Sequence, residues 1–98
     1  MAQKSFTFDF EARSPKSIAY ECAGTERLRT GVEAGVPYLF ANRAGMLALA
    51  KLLVKLSMGE YKPGFHIHLR SDFSGDAAQR DVLTILLDES VDDRERIS

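Results

Sequence analysis

The sequence has a single cysteine, no excess of charge of either sign and no long uninterrupted hydrophobic run. Cys22 is the only cysteine among 98 residues, so the chain cannot form an intrachain disulfide. Lys and Arg number 13 against 14 Asp and Glu, a formal net charge of −1, whereas nucleic-acid-binding domains are usually strongly basic. These features argue against a disulfide scaffold and against nucleic acid as a partner.

A segment that would enter a membrane is also missing. The longest strongly apolar stretch, residues 45–56, is interrupted by Lys51 and Lys55 and is shorter than the roughly 20 residues that span a bilayer. No apolar signal core follows the early Lys4. We therefore expect a cytoplasmic protein, in a reducing compartment, that does not bind membranes.

Length and composition predict one globular domain. Ninety-eight residues are too few for two ordinary domains, and 45% hydrophobic with 28% charged residues is a globular balance. We expect a single domain over residues 1–90. Residues 91–98 are expected to form a flexible acidic tail, because chain ends without apolar anchors fray.

Alternating apolar and polar residues predict a hairpin at the start of the chain. Residues 5–11 alternate strictly, with three phenylalanines on one side, and residues 17–22 alternate in the same way. Residues 24–35 fit either a long loop or a weak edge strand over 27–33. Residues 36–41 fit a short strand, which Pro37 restricts to a strand start or a sheet edge.

One long helix follows. Asn42 is a typical N-cap, the helix is predicted over residues 43–58, and Gly59 is a natural residue to follow its end. Gly45 costs about 1 kcal/mol relative to Ala inside a helix, which suggests close packing of the first turn on the sheet. Leucines at i, i+4 and i+7 spacing predict a core-facing stripe formed by Leu49, Leu53 and Leu56 and joined by Met46, Ala50 and Leu52.

Two further strands close the chain. Residues 64–70 alternate so that both histidines of the protein, His66 and His68, share one face with Arg70. Residues 81–88 are almost continuously apolar, which predicts a strand buried on both faces, hence a central strand or one covered by a partner.

The summed order, β-β-(β)-β-α-β-β, predicts an α+β fold. We expect a mostly antiparallel sheet of four to five strands with one long helix packed on one face. Because one helix covers only one face, the opposite face should carry exposed polar side chains. His66, His68 and Arg70 are the predicted partner-binding residues on that face.

The two histidines also raise the question of metal binding. Their side chains are spaced by roughly 6.5 Å along a strand, and Glu21, Asp9 or Asp72 could supply a carboxylate ligand. A lone His-x-His pair is a weak signal without a third ligand at fixed spacing. The sequence therefore predicts neither metal nor cofactor; if a metal binds, its ligands should be His66, His68 and Glu21.

Enzyme motifs are incomplete. Histidine-triad nucleotide enzymes repeat His at alternate strand positions, but the third position here is Arg70. Cys22 shares its parity with Ile18 and Tyr20, which predicts a buried, inert thiol. No glycine-rich phosphate loop is present. We expect a non-enzymatic protein; the alternative is a small metal-dependent or histidine-dependent enzyme that uses His66 and His68.

Two sequence blocks carry a family resemblance. They are Tyr-Leu-Phe-Ala-Asn-Arg-Ala-Gly-Met-Leu-Ala-Leu-Ala-Lys-Leu-Leu at residues 38–53 and Gly-Phe-His-Ile-His-Leu at residues 64–69. Over residues 38–88 the chain resembles immunity protein family thirty-two of bacterial polymorphic toxin systems. The resemblance implies an α+β fold and a non-enzymatic role, namely binding and neutralising a cognate toxin, without identifying that toxin.

Self-association is a further expectation. One helix leaves a sheet face or an edge uncovered, and uncovered apolar edges and patches invite pairing with another chain. We expect a homodimer whose contacts include residues 81–88 or the face of His66, His68 and Arg70.

Overall fold

The computed structural model describes residues 2–10, 23–74 and 80–92. In chain order these form β1 (Leu28–Glu33), β2 (Val36–Ala41), helix α1 (Arg43–Met58), β3 (His66–Arg70), β4 (Asp81–Leu86) and a short 3-10 turn at Glu89–Asp92. β1 pairs with β2 and β3 with β4, both antiparallel, in two sheets of two strands each. One helix with two antiparallel hairpins is an α+β architecture.

The structure contains the predicted helix and strands on both sides of it, but its strands form two two-stranded sheets and not the predicted single sheet of four to five strands. The helix and β2 have the predicted bounds, and the ambiguous segment 24–35 contains a strand, β1. The strand predicted over residues 5–11 is not formed by its described residues 5–10. Its phenylalanine rings contact one another at tilted angles, with centroids 5.5 Å and 5.6 Å apart. Its predicted hairpin partner, residues 17–22, lies outside the described residues.

The β1–β2 hairpin turns through only two residues. Ala34 and Gly35 both have positive φ, 52° and 79°, as the twist-matched type I′ turn requires. In such a hairpin the pair that flanks the turn, Glu33 and Val36, is hydrogen-bonded, so the next residue, Pro37, is at a non-hydrogen-bonded position. The missing N–H of Pro37 therefore costs no bond to β1 and removes a donor from the outer edge of β2.

The core lies beneath one face of α1. The helix buries five residues that share this face: Gly45, Ala48, Leu49, Leu52 and Leu56. They pack against buried side chains from the bases of both hairpins and the loop after β3, namely Leu28, Ile67, Leu69 and Phe73. Leu52 and Leu69 are the most completely buried side chains, and they mark the centre of the core.

The predicted core face of the helix is wrong at Leu53 and Met46, both of which are exposed. Leu53, predicted to face the core, is 45% exposed, whereas its neighbour Leu52 is fully buried. The helix is apolar around most of its circumference, with Met46 and Leu47 also exposed, so an i, i+4, i+7 pattern fits more than one face. The face that is buried is the one that carries the small residues Gly45 and Ala48, because these allow close approach.

The last strand was also predicted to be more buried than it is. In β4, Leu83 and Ile85 are half-buried on the helix side, whereas Thr84 and Leu86 on the opposite side are exposed. The prediction of burial on both faces is wrong over residues 81–86, because α1 covers only one side of the β3–β4 hairpin.

Asn42 fixes the start of the helix. It is the predicted N-cap, and its Oδ1 accepts from the N–H of Gly45 at 2.8 Å. The same oxygen accepts from the N–H of Arg27 at 3.0 Å, and Nδ2 donates to the carbonyl of Thr25 at 2.7 Å. The backbone N–H of Asn42 donates to the Arg27 carbonyl at 3.2 Å. One side chain thus joins α1 to the loop before β1.

At two positions of the helix, a glycine allows neighbouring atoms to approach the backbone closely. A Cβ on Gly45 would collide with the carbonyl oxygen of Arg27, so the expected close packing of this turn is met against the backbone before β1. Gly59 ends the helix with φ −78°, not in the left-handed region. A Cβ there would lie 2.7 Å from both the Lys55 carbonyl and the Tyr61 ring, which explains the glycine.

Two adjacent leucines provide a matched test of the helix register. Leu52→Ala should lower the free energy of unfolding by about 2–5 kcal/mol, because it opens a cavity at the centre of the core. Leu53→Ala, the same chemical change on the exposed side, should cost less than about 1 kcal/mol. Urea denaturation of both variants measures the difference; equal losses would contradict the register.

Asn42→Asp tests the link between helix and loop. Asn and Asp cap helices equally well, so capping alone predicts no change in stability. Asp lacks the Nδ2 donor to the Thr25 carbonyl and places a carboxylate oxygen there instead. We expect a loss of about 1 kcal/mol or more in thermal or urea unfolding, and an unchanged stability would show that the Thr25 bond contributes nothing.

Candidate functional site

The outer face of β3 displays the two histidines. His66 and His68 are exposed while the intervening Ile67 and the following Leu69 are buried, which confirms the predicted alternation. Across the hairpin, His66 lies opposite Leu86 and His68 opposite Thr84. The helix-free side of this hairpin therefore presents imidazole and hydroxyl groups together.

His68 has two polar neighbours, and both contact the same ring nitrogen. Nδ1 lies 3.0 Å from Thr84 Oγ1 and 3.0 Å from Asp81 Oδ2. Asp81 reaches this position because the register shifts between Leu69 and Arg70. A nucleophile–histidine–acid relay needs the hydroxyl and the carboxylate on different ring nitrogens, so these three residues are not arranged as one.

His66 is held differently. Its Nδ1 lies 3.2 Å from the Gly64 carbonyl, to which a protonated Nδ1 donates. The two imidazole rings meet edge to face, with centroids 4.9 Å apart. Within the described ranges, no three His, Cys, Asp or Glu side chains are grouped so as to hold a metal ion. Of the carboxylates considered from sequence, Asp72 accepts from the N–H of Ser74 at 3.0 Å, and Glu21 lies outside the described residues.

Arg70, the third predicted partner-binding residue, is less accessible than the histidines. Its side chain is only 19% exposed. The guanidinium approaches Asp81 Oδ1 at 3.8 Å and the Ser74 carbonyl at 3.4 Å. Arg70 therefore lies toward the loop after β3, and the open part of the predicted face consists of the histidines.

The helix-free face of the β1–β2 hairpin carries a stack that the sequence did not predict. The Arg29 guanidinium lies 4.0 Å from the centroid of the Phe40 ring, and Phe40 stacks on Tyr38 with centroids 5.8 Å apart. We call Arg29, Phe40 and Tyr38 the aromatic column. Gly31, opposite Tyr38, leaves room for it, since a Cβ there would touch the Phe40 ring at 3.4 Å.

The same hairpin exposes apolar side chains beyond the reach of the helix. Val32 is 69% and Val36 55% exposed, and Leu39 on the opposite parity from Val36 is 40% exposed. Both faces of β2 are apolar in sequence, so alternation could not tell which residues face outward. The helix exposes apolar side chains as well, among them Met46, Leu47 and Met58, so exposed apolar surface is not confined to the hairpin.

Glu26 is a buried carboxyl group that the sequence analysis missed. Its two oxygens accept from the N–H groups of Ala23 and Gly24 at 2.9 Å and 3.0 Å. The bond from Ala23, followed by those from neighbouring amides, lowers the pKa of Glu26 below its ordinary value. The carboxylate thus organises the loop before β1, and no sequence signal distinguishes it from a surface glutamate.

No family model, curated protein or solved structure matches the chain. Among the described residues, no helix has the length and apolar character needed to cross a membrane. The geometry alone therefore defines the candidate site, which consists of the exposed side chains on the helix-free faces of the two hairpins.

Proposed function

We propose that this chain is a non-enzymatic binding protein that contacts a protein partner through the helix-free faces of its two hairpins. The observation that carries the proposal is the exposure of the aromatic column and of the histidines, with Tyr38 43% exposed and His66 and His68 both on the surface. The resemblance of residues 38–88 supports an immunity-type role, in which the partner is a cognate toxin that the chain neutralises.

We propose that the helix-free faces of the β1–β2 and β3–β4 hairpins form one continuous surface. Thr30 Oγ1 donates to the Val82 carbonyl at 3.0 Å, so β1 lies beside β4. At the base of β1 the Leu28 N–H donates to the Ser71 carbonyl at 2.8 Å. We propose that the two hairpins act as one larger sheet in the order β2–β1–β4–β3, within the four to five strands expected. The aromatic column and the histidines then share one face.

The side-chain chemistry suits a protein interface. Tyr, Phe and Arg are enriched in the cores of protein interfaces, and Tyr and Arg are frequent hot spots. Imidazoles add donors and acceptors at the rim without a fixed full charge. A neutral overall balance, with a formal net charge of −1, suits a protein partner better than a polyanion.

The competing enzyme hypothesis has less support. Catalysis by His66 and His68 would require a concave site and a base aligned with a nucleophile. His68 instead contacts Thr84 and Asp81 through one ring nitrogen, on an open strand face.

A cytosolic location is part of the proposal, since a lone cysteine is typical of reducing compartments.

Tyr38→Lys tests the proposed surface. The purified chain is titrated by calorimetry with the toxic product of a neighbouring reading frame, and the same pair is co-expressed to measure protection of growth. Wild type should bind and protect, while Tyr38→Lys should weaken binding about thirtyfold or more, the loss expected at a hot spot.

Ser57→Lys is the matched control, because it also places one lysine at an exposed position but on the helix. It should bind as wild type does. Equal weakening by both variants would refute the surface, and failure of the chain to bind or protect against any neighbouring toxic product would refute the immunity role.

Self-association through the same surface is the second expectation. If the uncovered face pairs two copies, light scattering should give twice 10.9 kDa at high concentration, and Tyr38→Lys or a His66→Ala, His68→Ala double variant should return it to the monomer. A mass that stays near 10.9 kDa at every concentration removes the homodimer and leaves the face to a different partner.

A further inference from the structure

A cleft of about 510 Å³ lies at the base of the β1–β2 hairpin, apart from the histidines. Its walls include Arg27 and Arg29 before and within β1, and Phe40 near the end of β2. Ser71, from the loop after β3, is a further lining residue. Two arginines and an aromatic residue therefore line one open cleft.

Both arginines are held in place. Arg29 lies over the Phe40 ring at 4.0 Å. Arg27 Nη1 donates to the Gly24 carbonyl at 2.9 Å and to the Glu26 carbonyl at 2.7 Å. A restrained guanidinium loses less conformational entropy when it binds a ligand than a mobile side chain does.

In the part of the chain that the structure describes, no ion pair balances the positive charge of the cleft, since neither Arg27 nor Arg29 pairs with a carboxylate there. The carboxylate of Glu26 is bonded to backbone N–H groups instead. The amide of Asn42 is equally occupied, by Thr25, Arg27 and Gly45, so the arginines are the groups left to face a ligand.

We infer that this cleft binds a small organic anion, a phosphate or carboxylate attached to an aromatic group. The oxyanion would be bound by the guanidiniums of Arg27 and Arg29, which are suited to paired hydrogen bonds with such groups. The aromatic part would lie against the edge of the Phe40 ring, since the Arg29 guanidinium already covers one face of that ring. This inference does not rest on the protein partner proposed above, but Arg29 and Phe40 belong to both surfaces, so an anion and a protein partner would compete for them.

Phenyl phosphate, benzoate and inorganic phosphate are the probes. Each is titrated at constant ionic strength into the ¹⁵N-labelled full chain, and amide shifts are followed by NMR. Phenyl phosphate or benzoate should shift the amides of residues 27–29, 40–42 and 71 saturably. The dissociation constant of the aromatic probe that binds should be lower than that of inorganic phosphate by about fivefold or more, because only the aromatic probes contact Phe40.

Arg29→Gln should raise that dissociation constant about tenfold or more, since it removes a charge-assisted hydrogen-bonding group. Arg80→Gln removes the same charge from an exposed position just before β4 and should leave binding unchanged. Arg29→Lys keeps the charge and loses the planar fork, so it should weaken binding even if Arg29→Gln folds poorly.

Three results would overturn the inference. The first is shifts that rise linearly with ligand and spread over all surface cations. The second is inorganic phosphate binding as tightly as both aromatic probes, the behaviour of an adventitious ion only. The third is an equal loss in Arg80→Gln and in the Arg29 variants.

Discussion

The side-chain amide of Asn42 determines where the helix begins relative to the first hairpin, and the arrangement of the core depends on it. Three hydrogen bonds from this amide tie the first turn of α1 to Thr25 and Arg27. Gly45 lets the helix backbone approach the Arg27 carbonyl, a position that any larger residue would block. With this end of the helix fixed, Leu49, Leu52 and Leu56 lie over the inner faces of the hairpins. The same bonds place Arg27 beside Arg29 and Phe40, where it lines the cleft.

A single helix cannot cover both faces of two hairpins. One face of each hairpin is therefore left exposed. The inward side chains of β3 and β4 contact α1, whereas the opposite side of each hairpin has no covering element among the described residues. Aromatic and apolar side chains on this side therefore remain exposed, Tyr38 and Val36 among them. On the same side, the polar contacts of His68 with Thr84 and Asp81 hold its ring in place.

The parts of the fold that are coded locally could be predicted from the sequence. The helix bounds follow from the Asn42 cap and the apolar run, and β3 follows from strict alternation. Leu53 could not be placed, since a helix that is apolar nearly all round has no unique buried face. The segment 5–10 alternates as strongly as β3, yet a strand also needs a hydrogen-bonded neighbour, which alternation does not supply. The aromatic column and the buried Glu26 depend on contacts with residues whose positions no spacing rule gives.

Pro37 bears on how the exposed hairpin behaves in a crowded solution. A two-stranded ribbon with apolar side chains on both faces resembles the segments that stack into fibres, where each new chain extends a ladder of backbone bonds. Proline at an outward-facing position of β2 interrupts that ladder at its first step, and the tight twist of the type I′ turn disfavours flat stacking. The hairpin can therefore offer its side chains to a partner while its backbone remains a poor template for polymerisation.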